Sequence, residues 1–266
     1  MAGRVIAVGC SKGGSGKSTT TCLLATAYQA QGLTVALLDA DPQAHLAKWF
    51  RLWAIATGFT GEFVIDPKTS RITDAVDHNG IKLYPLVTKD DMRGKVAEAK
   101  ANFDLVLIDL QGAPNNEMVF AFGAADLIVV PAQASGFDLD GLITTTSIYS
   151  EVVNMKERLT PYFVLLTFTG VPRKQSLGGK LIRQATDAYA REQISTVLKV
   201  DFAGEPHPVH VLNTELHYRQ PFKSMSLTGM PPSAKDDAEA EKNQMALAQE
   251  VALVLQGQWQ SEIATA

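Results

Sequence analysis

Cysteine is nearly absent: the 266-residue chain has two, Cys10 and Cys22. With no C-x-x-C pair, nothing suggests a disulfide framework or a thiolate-held metal cluster, and a reducing compartment fits. No apolar run approaches about 18 residues, so no membrane-spanning helix is expected. Basic charge is not in excess: 24 Lys and Arg against 28 Asp and Glu leave −4. That balance argues against a generally basic nucleic-acid coat and leaves room for a local patch. Repeats and low-complexity linkers are missing. Residues 1–10 run straight into an apolar strand, so no secretory leader is expected. What is present, with 46% hydrophobic residues, suits one large domain over 1–266, with room for a small insertion around 193–214.

The chemistry concentrates in residues 5–20. Val5 to Val8 is a short, β-branched apolar run that reads as a buried strand. Gly13, Gly14 and Gly16 allow a tight loop, and Lys17-Ser18-Thr19 opens a helix. Strand, glycine loop and helix together make a phosphate cradle, with backbone N–H groups and the helix N-terminus facing the anion. Lys17 would reach the β- and γ-phosphates, and the Ser18 hydroxyl would bind Mg2+. The strict motif G-x-x-x-x-G-K-[ST] asks for glycine at position 11; this chain has Ser11, followed by a second lysine, Lys12.

The helix over about 16–31 ends at Gly32, and a buried strand follows over 34–39, which makes a right-handed parallel βαβ unit. That strand runs into Asp39-Ala40-Asp41-Pro42-Gln43, at the carboxyl end where open α/β sheets bind ligands. Locally, Asp41 also reads as a helix N-cap with Pro42 at the first helical position. The helix over 43–57 carries Trp49, Phe50 and Trp53, which read as packing. Residues 58–81 are irregular in pattern, with Phe63 to Ile65 as a short strand, and Lys82 to Leu86 reads as a weak strand. Asp104 to Asp109 is an apolar strand ending in a carboxylate, the Walker B form, with Asp109 near Mg2+ through a water. Further strands are expected over 125–131 and 163–168. The fold class is α/β, a doubly wound, mostly parallel twisted sheet with helices on both faces.

The later chain says less. Residues 172–183 form the most basic stretch, and a helix over 177–191 would group Lys180, Arg183 and Gln184 on one face. Arg173, Lys174, Lys180 and Arg183 could touch DNA phosphates without reading sequence, or form a solvated face. Arg219 and Lys223 are second-choice contacts. Gln193 to Val200 alternates as a strand would. His207 and His210 lack partners at metal spacing and read as loop or edge residues. The last helix, over 235–258, puts Leu247, Val251, Val254 and Leu255 on one stripe. Its acidic balance suits core packing better than an anionic membrane surface.

Lys12 to Thr19, the D-x-D-P-Q run and the Walker B strand resemble, in order, the ParA/MinD family of deviant Walker A ATPases. The small ParA-type partition proteins look nearest, and conjugation-associated ATPases share the layout. The resemblance implies a cytoplasmic, nucleoid-associated ATPase that uses ATP and Mg2+. Lys12 would cross a homodimer interface to the partner's nucleotide, and Gly13, Gly14, Ser15, Gly16, Lys17, Ser18 and Thr19 would hold the phosphates. Lys12, Lys17 and Asp41 form the implied catalytic set, with Asp41 orienting water and Ser18, Asp39 and Asp109 around the metal. The loop at 111–114 would sense the γ-phosphate, the loop at 134–139 would lie near the partner, and 167–169 near the adenine. The ATP dimer would bind DNA nonspecifically, and a ParB-type or other adaptor would stimulate a slow hydrolysis, with no membrane involved. The rival readings are a P-loop biosynthetic enzyme with polar residues placed over 42–90, a metal-cluster carrier, and a membrane-positioning ATPase.

Overall fold

Among the described residues, the strand that leads into the glycine loop lies inside a nine-stranded sheet. The computed structural model describes residues 3–133, 136–156, 159–170 and 209–258, with positions 184, 188, 192 and 196. In chain order the first elements are β1 (Arg4–Val8), α1 (Lys17–Ala30), β2 (Val35–Ala40), α2 (His45–Ala56), β3 (Val76–His78), β4 (Ile81–Tyr84), α3 (Lys89–Asn102) and β5 (Leu105–Leu110). They are followed by α4 (Asn116–Ala124), β6 (Leu127–Gln133), α5 (Gly136–Lys156), β7 (Tyr162–Thr169), β8 (Val209–Val211), β9 (Leu216–His217), α6 (Gln220–Thr228) and α7 (Ala234–Leu255).

The strand order is β3-β4-β2-β5-β1-β6-β7-β8, and β9 also pairs with β7. Every pairing is parallel except β3 with β4. From β1 the chain winds one way to β2 and β4, returns to β5, then moves the other way through β6 and β7. The carboxyl end of β1 therefore sits where the winding reverses, the position at which such sheets form a crevice.

Alternation along the central strands divides the core. Ile6, Val8, Leu105 and Leu107 face one side, with Leu24, Trp53 and Leu247 from α1, α2 and α7. Val5, Ala7, Val106 and Ile108 face the other, with Val96, Phe122 and Tyr149 from α3, α4 and α5. The expected doubly wound, mostly parallel arrangement is what the chain adopts.

Several details differ from the sequence expectation. Part of the irregular 58–81 stretch is a β3–β4 hairpin turning at Asn79 (φ +47°) and Gly80 (φ +77°), which match the left-handed demands of a tight turn. The expected strand at Phe63 to Ile65 is a single bridge between Ile65 and Ile72. Within the strand expected over 193–200, the described position Thr196 is helical, with its Oγ1 donating to the Glu192 carbonyl at 2.7 Å. Most of the suggested insertion over 193–214 lies outside the described residues, but its Val209–Val211 part joins the main sheet.

α7 packs against α1 as its apolar stripe predicts. Leu247 and Val251 are fully buried, Tyr28 Oη donates to the Ala248 carbonyl at 2.8 Å, and Gln244 Nε2 donates to the Leu23 carbonyl at 2.8 Å. Among the described residues no helix is long and apolar enough to cross a membrane.

Candidate nucleotide site

The phosphate loop forms because two of its glycines take backbone angles other residues avoid. Gly14 lies at φ +76° and Gly16, which precedes α1, at φ +98°. A Cβ at either Gly13 or Gly14 would meet nothing within 4 Å, so the loop crest is open to a ligand. Surrounding elements hold the loop from outside. Gln133 Nε2, at the end of β6, donates to the Gly14 carbonyl at 2.8 Å. Thr167 Oγ1 of β7 donates to the Ser15 carbonyl at 2.7 Å. Gly112 presses so close that a Cβ there would stand 2.7 Å from Gly13 N and 2.8 Å from its Cα.

Lys17 is buried, and its Nζ donates to the Lys12 carbonyl at 2.7 Å. Burial lowers its pKa, while Cys10, Asp109 and Asp41 act in the opposite sense. One residue on, Ser18 Oγ donates to Asp109 Oδ2 at 2.6 Å. Asp109 is fully buried and its Oδ1 has no partner. Burial, then repulsion from Asp39, drives its pKa well above the ordinary carboxylate range, against the opposing Ser18 hydrogen bond.

A hard cation with oxygen preference fits this pair: a carboxyl that such a cation would hold ionised, beside a hydroxyl, with one oxygen orphaned in a buried position. Among the described residues no group of three or more His, Cys, Asp or Glu could hold a metal alone.

Asp39 is also fully buried, but both its oxygens are engaged by the loop that follows it. Oδ1 accepts from Asp41 N at 3.1 Å and Oδ2 from Ala47 N at 2.9 Å. Burial pushes its pKa up to about 6, against those two N–H bonds. Asp39 thus ties the loop to the start of α2.

Asp41 is not the N-cap of α2. The helix begins at His45, and its N-cap is Ala44 at φ +53°. Asp41 instead folds the loop on itself, its Oδ1 accepting from Gln43 N at 2.9 Å and its carbonyl from Ala44 N at 2.8 Å. Its other oxygen stands 3.7 Å from His45 Nδ1.

Lys17, Ser18 and Asp41 line a cleft of about 690 Å³ that runs from the glycine loop past Gln111 to Trp49 and Phe222. A second hollow of about 560 Å³ is walled by Thr19, Phe168, Tyr218 and Lys223. Phe168, in the segment expected near the adenine, sits at φ +54° with its ring against Gly16. For a non-glycine side chain that backbone angle is uncommon. Trp49 and Trp53 stack at 5.9 Å as core residues, and Trp49 also lines the cleft.

The DNA candidates divide. Arg173, Lys174, Lys180 and Arg183 lie outside the described residues. Arg219 Nη1 is paired with Asp237 at 3.2 Å. Lys223 is exposed, stands 4.1 Å over the Tyr218 ring and donates to its hydroxyl.

Sequence reasoning missed Gln133, Gly141 and Thr145, which reach the loop from distant elements. Gly141 lies inside α5, and a glycine within a helix is the one signal its residue type offers.

The comparisons agree with this geometry. The family model described as ATPase MipZ matches residues 4–163. The chromosome partitioning protein ParA of Caulobacter vibrioides is 29% identical over 216 residues, covering 73% of this chain and 80% of its own. Protein ParA of Rhizobium radiobacter is 28% identical over 134 residues, and the match spans 50% of each chain. Among solved structures, apo McdA of Cyanothece superposes with TM-score 0.64 at 17% identity, over 92% of this chain and 98% of that one. A putative plasmid partition protein from Borrelia burgdorferi bound to AMPPNP gives 0.59 at 17% identity, over 93% and 99%. The chain belongs to the ATPase MipZ family and, with it, to the ParA/MinD group of deviant Walker A partition and positioning ATPases.

Proposed function

We propose that this chain is an ATP-dependent dimerising switch for DNA partition or cargo positioning. ATP joins two copies face to face, the dimer binds DNA without reading sequence, and an adaptor of the ParB type stimulates slow hydrolysis and releases it.

The observation that carries this reading is the division of labour between the loop's two lysines. Lys17 turns inward and donates to the Lys12 carbonyl at 2.7 Å. The Lys12 stem lies along α5 instead, and an ideal Cβ at Gly141 would stand 2.9 Å from Lys12 Cβ and 3.7 Å from its Cδ. One lysine thus serves the chain's own cradle, and the stem of the other runs against α5. Two facing triphosphates repel strongly, so a cation supplied by each subunit to the other's phosphates makes ATP part of the contact.

In this reading Gly13, Gly14, Ser15, Gly16 and Thr19 present the cradle to the phosphates, and Lys17 balances their charge. Ser18 and Asp109 would hold Mg2+, which would supply neutralisation of phosphate charge. Asp41 orients water by hydrogen bonding, and Asp39 keeps the loop that carries Asp41 in place. The Gln111-Gly112 loop touches the glycine loop and would respond to the terminal phosphate.

The test compares wild type with Lys12→Ala in ADP and in a slowly hydrolysed ATP analogue, scoring oligomeric state and DNA retention together. A dimer that forms with the analogue alone, retains DNA, and is lost in Lys12→Ala supports the switch. A monomer under all conditions favours a second reading, a P-loop enzyme acting on a small substrate. One observation speaks for that alternative: Gln43, His45 and Lys48 also line the cleft.

A further inference from the structure

Ser11 occupies the place where the strict phosphate-loop motif has glycine, and its hydroxyl is used. Ser11 Oγ donates to the Gly141 carbonyl at 2.7 Å, and Ser11 N donates to Thr145 Oγ1 at 2.9 Å. Thr145 is fully buried, and its own hydroxyl donates to the Gly141 carbonyl at 2.6 Å. Both partners belong to α5 and are one helical turn apart, so they present one contact to the loop. At the same turn, the missing Cβ of Gly141 makes room for the Lys12 stem; an added Cβ would stand 2.9 Å from Lys12 Cβ. Cβ is fixed to the main chain, so a rotamer change cannot relieve that overlap. A glycine inside a helix is also a poor helix former, so its presence there has a packing reason.

We propose that Ser11, Gly141 and Thr145 are positioning residues that set the direction of Lys12 from α5, and that this seat is a requirement for ATP-driven dimerisation. The inference rests on the reading of Lys12 as a cross-subunit lysine. The seat holds residue 11 by one main-chain and one side-chain hydrogen bond and makes room for the stem of residue 12. A lysine that must meet a phosphate on another molecule gains most from such prior placement, because the entropy of ordering it is already lost in the monomer. Misplacing a reacting group by about 1 Å costs on the order of a hundredfold.

The experiment uses the full chain with ADP and with a slowly hydrolysed ATP analogue, measuring nucleotide affinity and the dimer dissociation constant separately. The variants are Lys12→Ala, Gly141→Ala, Thr145→Val and Thr145→Ser. Gly141→Ala and Thr145→Val are expected to weaken the analogue-bound dimer by about ten- to a hundredfold. ADP affinity should change far less than dimerisation, since the substitutions lie on α5, outside the cradle glycines and Lys17. Thr145→Ser keeps the hydroxyl and should restore dimerisation. If Gly141→Ala does not fold, the Thr145 pair carries the test.

Two results would overturn the inference alone: dimerisation at wild-type strength in Gly141→Ala and Thr145→Val while Lys12→Ala is defective, or loss of ADP affinity in step with dimerisation, which marks a merely structural role. Wild-type dimerisation in Lys12→Ala would remove the proposed switch itself, and the inference with it.

Discussion

Ser18 and Asp109 are joined by a 2.6 Å hydrogen bond that satisfies one oxygen of a fully buried carboxylate and leaves the other with no partner. Without a cation, ionising a carboxyl half-satisfied in this way is costly, which is why burial drives its pKa up. Asp109→Asn should therefore raise the melting temperature of the protein in chelator. The same change should weaken Mg2+-dependent ATP binding by about tenfold or more. Titrating ATP with and without Mg2+ checks the second part: in chelator, wild type should fall to the affinity of the variant.

Asp39 makes the metal-free protein sensitive to pH in a direction opposite to that of most carboxylates. Its ordinary value is 3.8, and in the folded chain burial moves it to about 6. Between those values the folded state binds the extra proton, so this group's contribution falls as pH rises through the window. By pH 7 the loss amounts to about 3 kcal/mol at most. Chemical denaturation of wild type and Asp39→Asn at pH 5 and pH 7 tests this. Wild type should gain on the variant as pH is lowered. The slope is the test rather than the offset, because the variant also alters the bonds to Asp41 N and Ala47 N.

The parts of the site that were legible in the sequence are those built from neighbours along the chain. Lys12 to Thr19 form one continuous loop and helix start, and a local spacing rule describes them. The strands that carry Asp39 and Asp109 near their carboxyl ends could be read because they are buried on both faces and so are almost wholly apolar. The hairpin at Asn79 and Gly80 was readable by the same local logic and was passed over, since its strands have only three and four residues. What could not be read is set by distant contact. Ser11 and Gly141 are 130 positions apart, and no periodicity links them. The start of α2 went wrong for a related reason: Asp41 and Pro42 favour a cap, but the buried Asp39 carboxylate takes the Ala47 N–H and holds the loop three residues longer.

Arg219 and Lys223 should separate in a DNA-binding assay. Arg219 is paired with Asp237, at the one non-helical position inside α7. Its substitution by alanine should lower the melting temperature and leave the salt dependence of DNA binding unchanged. Asp237 has a lowered pKa, from its bond to Ala240 N first and from Arg219 further down. The stability it contributes is present above its unfolded value and is lost as pH falls, so the Arg219→Ala defect should shrink on acidification. Lys223 is exposed, and Lys223→Ala should reduce the slope of log affinity against log salt by about one if that lysine meets a phosphate. An unchanged slope would move the DNA surface to the basic stretch at 172–183.

α7 is the remaining element whose role divides the readings, because a membrane-positioning ATPase would keep its final helix free for lipid. Here Leu247, Ala248 and Val251 are fully buried, and Gln244 and Tyr28 tie the helix to α1. An amphipathic helix can bury its apolar face once, in the core or in a bilayer. Leu247→Ala should thus cost about 2–5 kcal/mol of folding stability. Tyr28→Phe, which removes one hydrogen bond to a carbonyl, should cost about 1 kcal/mol. Wild type should not sediment with anionic liposomes in any nucleotide state. Denaturant unfolding gives the first two values, and flotation with ADP and with an ATP analogue gives the third. A wild-type chain that floats with vesicles in the ATP state, while Leu247→Ala stays as stable as wild type, would mean that the helix leaves α1 and that the cargo surface is a membrane.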